Sequence, residues 1–424
     1  MSKKSLITFI LGLVMLLVAA MPAMAAEKIT LNVNGESSMT FEAYGQNGVS
    51  MISAANYVRF AGADLTQDSD TNFTINENGN IMALTVGQSA ASLNGESITL
   101  PAAPVVVAGD VYVPLRFVAE AFGYEVKWDE QLQMVLMNRE ETRDGLTPLD
   151  VLVKSGAATQ DINTYSMNGN IKMAISMAAD GVSATPEPVY ADVQLKGQIQ
   201  NDPMQVYMQQ IITGSEETGI PETTVETYMT MEKMYIKMPE QGWVVQDMPF
   251  DSEFLQQQMD IQSNPIQAAQ QMKEMGLFMS FGNDVTIGEQ DYYAVNATLD
   301  MEKFNESMPD LLKQMAPGLS GANGDQDSGQ AQLIQQMLEG MEMDYYYTVL
   351  INKETLITDV IKLDIKIKMD MEVPQAEGAV GSDQQIPQTI KLDMHMVGDL
   401  NITDPGMPFN VPDVGDAKTT TESR

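Results

Sequence analysis

Ile361-Lys-Leu-Asp-Ile-Lys-Ile-Lys-Met-Asp-Met371 alternates apolar with charged residues along its whole length. Helical winding would smear that pattern around a cylinder. An extended chain instead puts every second side chain on the same face, so the stretch reads as a strand with one apolar and one charged face. Upstream, Tyr345-Tyr-Tyr-Thr-Val-Leu-Ile351 and the turn Asn352-Lys353-Glu354 complete a strand, turn and strand unit, Met343 to Ile351 and Leu356 to Met371. The same alternation recurs at Tyr165 to Met177, Val189 to Gln200, Met204 to Ile212, Thr223 to Thr230, Lys233 to Met238, Gly242 to Met248 and Ile386 to Ile402, with a hairpin turn at Glu232-Lys233. Several of these strands are longer than the usual five or six residues. Sequential strands of that length build a strongly curved antiparallel sheet or a barrel.

Helical patterns fall in the connections. Thr147 is a plausible N-cap with Pro148 at the first position of a helix over Leu149 to Ala158. Ser252 to Gln262, Pro265 to Met275, Met301 to Met315 and Ala331 to Leu338 read as further helices, and Val285 to Leu299 as a strand. Gly318 to Gln330 and Pro374 to Gln385 are loop-like in composition.

Residues 27 to 140 follow another grammar, with short strands and tight turns. Asn34-Gly35 and Asn94-Gly95 sit between alternating runs and mark hairpins. In Val111-Tyr-Val-Pro-Leu-Arg-Phe-Val-Ala-Glu-Ala-Phe-Gly123, Pro114 suits a first helical turn. Leu115, Val118, Ala119 and Phe122 recur at helical spacing, and Gly123 stops the helix. Tyr124 to Asp129 and Gln133 to Met137 then form a strand pair. Met51 to Gly62, Ala63-Asp-Leu and Asn72-Phe-Thr-Ile repeat the order helix, glycine, strand, strand, so the module reads as two related halves. Arg116 and Glu120 are four apart on the helix and read as a surface ion pair. Trp128 reads as core rather than as a carbohydrate platform.

The run Tyr-Val-Pro-Leu-Arg-Phe-Val-Ala-Glu-Ala-Phe-Gly-Tyr-Glu-Val-Lys-Trp-Asp, residues 112 to 129, resembles the copper amine oxidase N-terminal-like domain, a stalk module, over about residues 29–138. The resemblance implies a compact α+β module with an adhesive or spacer role. The copper chemistry of those oxidases belongs to a separate domain. The Tyr345 to Met371 unit, the opening helix, the strand Met167 to Met177 and the hairpin Glu226-Thr-Tyr228…Met234-Tyr235 resemble the half-barrel group of lipoprotein carriers of the LolA/LppX type, over about residues 147–403. That resemblance implies an apolar sheet face able to hold acyl chains under helices.

The expected fold is therefore α+β, a small β-rich stalk module followed by a long-stranded antiparallel half-barrel with helical insertions. Residues 1–25 are expected to be a signal peptide: Lys3 and Lys4 precede the apolar run Leu6 to Ala20, and Ala23-Met-Ala25 supplies a cleavage site. The stalk domain is then 26–140, the half-barrel 141–415 and a polar tail 416–424.

Composition narrows the function. A net charge of −35 opposes nucleic acid and anionic lipid surfaces as partners. With no cysteine and a single histidine, His395, the chain has no thiol chemistry, Cys-ligated metal or multi-His site. No segment after the first is long and apolar enough to span a bilayer. No catalytic motif is present, so no catalytic residue, cofactor or metal is assigned and an enzyme is not expected.

Of 34 methionines, many occur as Met-x-Met: Met229/Met231, Met341/Met343, Met369/Met371 and Met394/Met396. On a strand each pair puts two thioethers on one face. Three readings stay open: core filling, a malleable lining for a hydrophobic ligand, and a soft-metal site. Alternation nominates Met173, Ile175, Met177, Met229, Met231, Tyr235 and Met369 as ligand-lining residues. The expected protein is an exported, bacterial, secreted or cell-surface protein that binds a lipid or other hydrophobic ligand. The alternative is a structural or adhesive protein whose partner is a cell-wall component.

Overall fold

The computed structural model describes residues 26–35, 37–179, 182–183, 188–214, 221–239, 242–248, 256, 264–301, 303–307, 340–372 and 389–419. The expected signal peptide, the loops at 318–330 and 374–385 and the helix at 331–338 lie outside the described residues, as do most of the helix at 252–262 and the second half of that at 301–315. The described chain is mostly β.

The N-terminal part holds a seven-stranded and a five-stranded sheet. Ala26–Val33 and Ser37–Gln46 pair across Asn34-Gly35, both at positive φ (54° and 70°), the geometry an Asn-Gly hairpin turn selects. The expected internal repeat is visible in the order of elements. Strand Val49–Ser53, helix Ala54–Ala61 and the hairpin Asp64–Gln67/Asn72–Glu77 match strand Asp110–Pro114, helix Leu115–Ala121 and the hairpin Glu125–Asp129/Met134–Asn138. The two leading strands pair antiparallel, with Tyr112 opposite Ser53. Pro114 differs from expectation: it ends the strand in an extended conformation and caps the helix that starts at Leu115. Tyr57, Phe60, Ile75, Met82, Leu115 and Val118 form the center of one core between the sheets.

Among the described residues the C-terminal part forms one sheet of fourteen strands. Its main path runs Leu277–Phe281, Gln290–Leu299, Met341–Asn352, Thr358–Glu372, Thr389–Thr403, Thr164–Ala179, Val189–Gln200, Gln205–Gly214, Thr223–Thr230, Lys233–Met238, Gly242–Asp247 and Lys418–Thr419. Neighbors on the path are antiparallel except at the last pair, and the two end strands do not meet, so the sheet is open. Three strand expectations are corrected. Val285 to Leu299 turns at Gly288 into two strands, Val285–Ile287 and Gln290–Leu299, which pair with each other. Leu277–Phe281 is an additional strand. Part of the expected polar tail joins the sheet, where Lys418 pairs beside Val244.

Helix Pro148–Thr159 opens with a reciprocal cap. The Thr147 hydroxyl accepts from the Asp150 amide at 3.1 Å, and the Asp150 carboxylate accepts from the Thr147 amide at 3.0 Å. The two parts of the chain meet along Leu277–Phe281. The Asn283 side-chain amide donates to Asp64 at 2.7 Å and to the Asn76 carbonyl at 3.0 Å, and its oxygen accepts from the Asn78 amide at 2.6 Å. Arg59 pairs with Asp364 at 3.0 Å and with Asp344.

Candidate functional site

The registers of the large sheet sort its residues into two faces, because directly paired residues share a side. Met173 pairs with Met396, Met396 with Ile365, and Ile365 with Tyr345. One rung along, Ile175, Met394, Ile367 and Met343 form the same line, and the next is Met177, Leu392, Met369 and Met341. Three successive strands and the distant Thr164–Ala179 thus build a continuous lattice of mostly aliphatic and thioether side chains. Toward the other edge the face continues through Val193, Ile212, Val206 and Met229 to Met234.

The opposite face is polar and ion-paired. Lys366 lies beside His395, and the His395 ring bonds the Asp364 carboxylate at 2.8 Å. Lys391 meets Asp370 at 2.6 Å. Glu226 accepts from Lys237 at 2.9 Å and from the Tyr207 hydroxyl at 2.8 Å. Burial works to raise the Asp364 carboxyl, but the His395 bond and the Arg59 charge outweigh it and hold the group below its ordinary value. His395 and Arg59 of the N-terminal part thus share one carboxylate, and alternation along the strand points His395 away from Met394 and Met396.

One end of the apolar face is covered. Helix Pro148–Thr159 sends Val151 into a cluster with Phe281, Tyr293, Val295, Val349 and Ile351, and Leu152 packs at its margin. Burial pushes the Tyr347 hydroxyl up to about 12 beside this cluster, and the Tyr345 ring lies 5.5 Å from it, edge to face. Beyond the helix the face is less protected. Met173, Ile175, Met343, Ile365, Ile367, Met394 and Met396 are only half-buried among the described residues, and Met177 is 46% exposed.

Of the nominated lining residues, the structure brings Met173, Ile175, Met177 and Met369 together on three successive rungs, with Met229 farther along the same face. Met231 lies in the two-residue turn between strands and is on neither face. Tyr235 is on the opposite face: Met229 pairs with Met234, so the next residue turns away and stacks on Tyr228 at 5.5 Å. Ile365, Ile367, Met343 and Met396 complete the lattice, and sequence reasoning did not nominate them. Their alternation was visible, and the turn at Asn352 sets Met343 beside Ile367, but the pairing that brings Met396 beside Met173 was not.

Trp128 also departs from expectation, being 46% exposed rather than core. Arg116 and Glu120 do lie close, 3.6 Å apart at the surface.

Comparison with known proteins gives two family matches. Residues 32–137 match the copper amine oxidase N-terminal domain, and residues 147–403 match a family of unknown function, DUF6612. No curated protein matches the chain. Among solved structures, LprF from Mycobacterium bovis is similar at 12% identity and a TM-score of 0.28, with 63% of this chain and 96% of that one covered. Lipoprotein LppX from Mycobacterium tuberculosis is similar at 12% identity and a TM-score of 0.27, covering 62% and 98%. A β-barrel-like protein of Brucella abortus follows at 9% and 0.13, covering 56% and 98%. Overlap that low says nothing of a ligand. Among the described residues no helix is long and apolar enough to cross a membrane.

Proposed function

The chain belongs to the DUF6612 family, and on that footing we propose that its large sheet holds a lipid or another apolar ligand outside the cytoplasm of a bacterium. The observation that carries the reading is the division of the sheet: half-buried aliphatic and thioether side chains on one face, paired charges on the other. An apolar expanse of this kind is unfavorable against water and marks a surface made to be covered. Thioethers suit varied apolar shapes, because Met is unbranched, polarizable and adapts its rotamers. The lining comprises Met173, Ile175, Met177 and Met369 with Met343, Ile365, Ile367 and Met396; Met229 belongs to the distal part.

In this reading residues 1–25 are an export signal, 26–140 a stalk that presents the binding domain, and 141–415 the half-barrel that binds. The role is one of binding at the cell envelope rather than catalysis.

Native mass spectrometry of residues 26–424, purified without detergent, tests it. A bound mass that denaturation releases as a lipid is expected. Delipidated protein should take up a fluorescent fatty acid, and Ile367→Asp, which puts a charge on the apolar face, should weaken uptake about tenfold or more. The control Lys366→Asp, on the other face, should not. A bare mass with no uptake would favor the structural or adhesive alternative.

A further inference from the structure

We propose that the N-terminal part carries a second, independent site: a saccharide-binding cleft built around Trp128. Val126 and Trp128 are two apart on the strand Glu125–Asp129 and face the same side. Val126 is 5% exposed and pairs with the fully buried Met137, whereas Trp128 is 46% exposed and pairs with the half-buried Val135. The core thus ends between these two rungs, leaving the indole at the rim of a cleft of about 420 Å3. Helix Leu115–Ala121 contributes Arg116, Phe117 and Glu120 to its wall, and Gly48, Ser50 and Pro101 also line it.

The chemistry of the lining selects the ligand. An exposed indole face packs against the C–H face of a pyranose ring. The Arg116 guanidinium is anchored by donating to the Val126 carbonyl at 2.8 Å, and the same nitrogen stands 3.6 Å from the Glu120 carboxylate, which leaves its other N–H groups for a ligand. An anchored donor next to an accessible carboxylate complements adjacent hydroxyls, one accepting from Arg116 and the other donating to Glu120. The pair is neutral in sum, and a chain of net charge −35 repels acidic polymers, so the ligand is a neutral saccharide. An apolar peptide side chain would take water from Arg116 and Glu120 and offer neither a hydrogen bond in return. The volume lies within the range of small-ligand sites, about 300–1,000 Å3.

The chain has two tryptophans, and Trp243 lies in the large sheet, so Trp243→Phe makes Trp128 the sole indole reporter. That chain is titrated with chitotetraose and cellotetraose, with tetragalacturonate as the acidic counterpart, and the unsubstituted chain is titrated by calorimetry. Saturable binding of a neutral tetrasaccharide is expected, with a Kd of about 0.1–1 mM and a change in indole emission. Tetragalacturonate should not bind. Trp128→Ala and Arg116→Gln should each weaken binding about tenfold or more, with the thermal unfolding midpoint retained in Arg116→Gln. The proposal is overturned if neither neutral sugar binds at about 10 mM. Binding that survives both substitutions, or binding of N-acetyl-phenylalaninamide in place of the sugars, overturns it as well.

Discussion

Glu77 shows what burying a single charge demands. It is 2% exposed, and its carboxylate is held by Arg139 on one oxygen and by the Tyr57 hydroxyl at 2.8 Å on the other. Arg139 also donates to the Phe122 carbonyl at 2.9 Å and stacks over Tyr124 at 4.1 Å. Burial raises the Glu77 carboxyl more than Arg139 and Tyr57 lower it, and burial raises Glu141 beside it in the same way. Tyr57→Phe removes one of the bonds to a buried charge and should destabilize the N-terminal part by about 1–3 kcal/mol, read as a lower denaturant midpoint. An unchanged midpoint would mean that Arg139 alone satisfies the group. The pH dependence follows from the raised values. Folded Glu77 and Glu141 keep protons that the unfolded chain releases near pH 4.3. Their contribution is complete below that value and is lost as pH rises through their folded pKa values. Asp364 acts oppositely: its lowered value stabilizes above the unfolded Asp pKa of about 3.9, and the gain is lost as pH falls through the folded value. Glu141→Gln should therefore flatten the decline of stability in the window that opens at about pH 4.3, measured by denaturant titrations across pH.

At the level of elements, local signals decided what the sequence could reveal. The Thr147 box spells its own helix start, and Thr147→Ala should lower stability by about 0.5–2 kcal/mol in a denaturant titration; no loss would show that packing of Val151 alone holds the helix. Val189–Gln200 was readable to the residue because sheltered and exposed positions alternate along much of it, and Thr223–Thr230 and Lys233–Met238 because a tight turn sets their ends. Leu277–Phe281 was not. Phe278, Met279, Ser280 and Phe281 are all buried, covered on one face by the N-terminal part and on the other by helix Pro148–Thr159, so period-two contrast vanishes. Tyr235 failed for another reason. Its strand was legible, but its face depends on the two-residue turn at Met231-Glu232, and a change of one residue there inverts every side chain after it. Trp128 departs from the expected core position because alternation says which way a side chain turns and not where the core stops.

For the whole molecule, the decisive contacts are those farthest apart in sequence. Thr164–Ala179 pairs with Thr389–Thr403 along nearly its full length, which places the first long strand of the sheet beside the last. No local pattern announces that pairing, yet it assembles Met173 and Met396 into one lattice. The docking of the N-terminal part is equally nonlocal. Gly62 closes helix Ala54–Ala61 at φ +70°, a conformation that favors glycine, and a Cβ there would stand 2.0 Å from the Phe281 carbonyl oxygen. Two demands therefore fall on one residue: the left-handed cap and the close approach of two backbones. Gly62→Asn separates them, since Asn tolerates the cap conformation but not the contact. It should leave the N-terminal part folded while displacing it from Leu277–Phe281 and straining the Asn283 and Arg59 bonds beside it. Small-angle scattering should then report a longer particle, and residues 139–147, which join the two parts, should be cut faster by protease. Unchanged scattering and cleavage would mean that the flanking bonds absorb the shift and that the close approach at Gly62 does not govern docking.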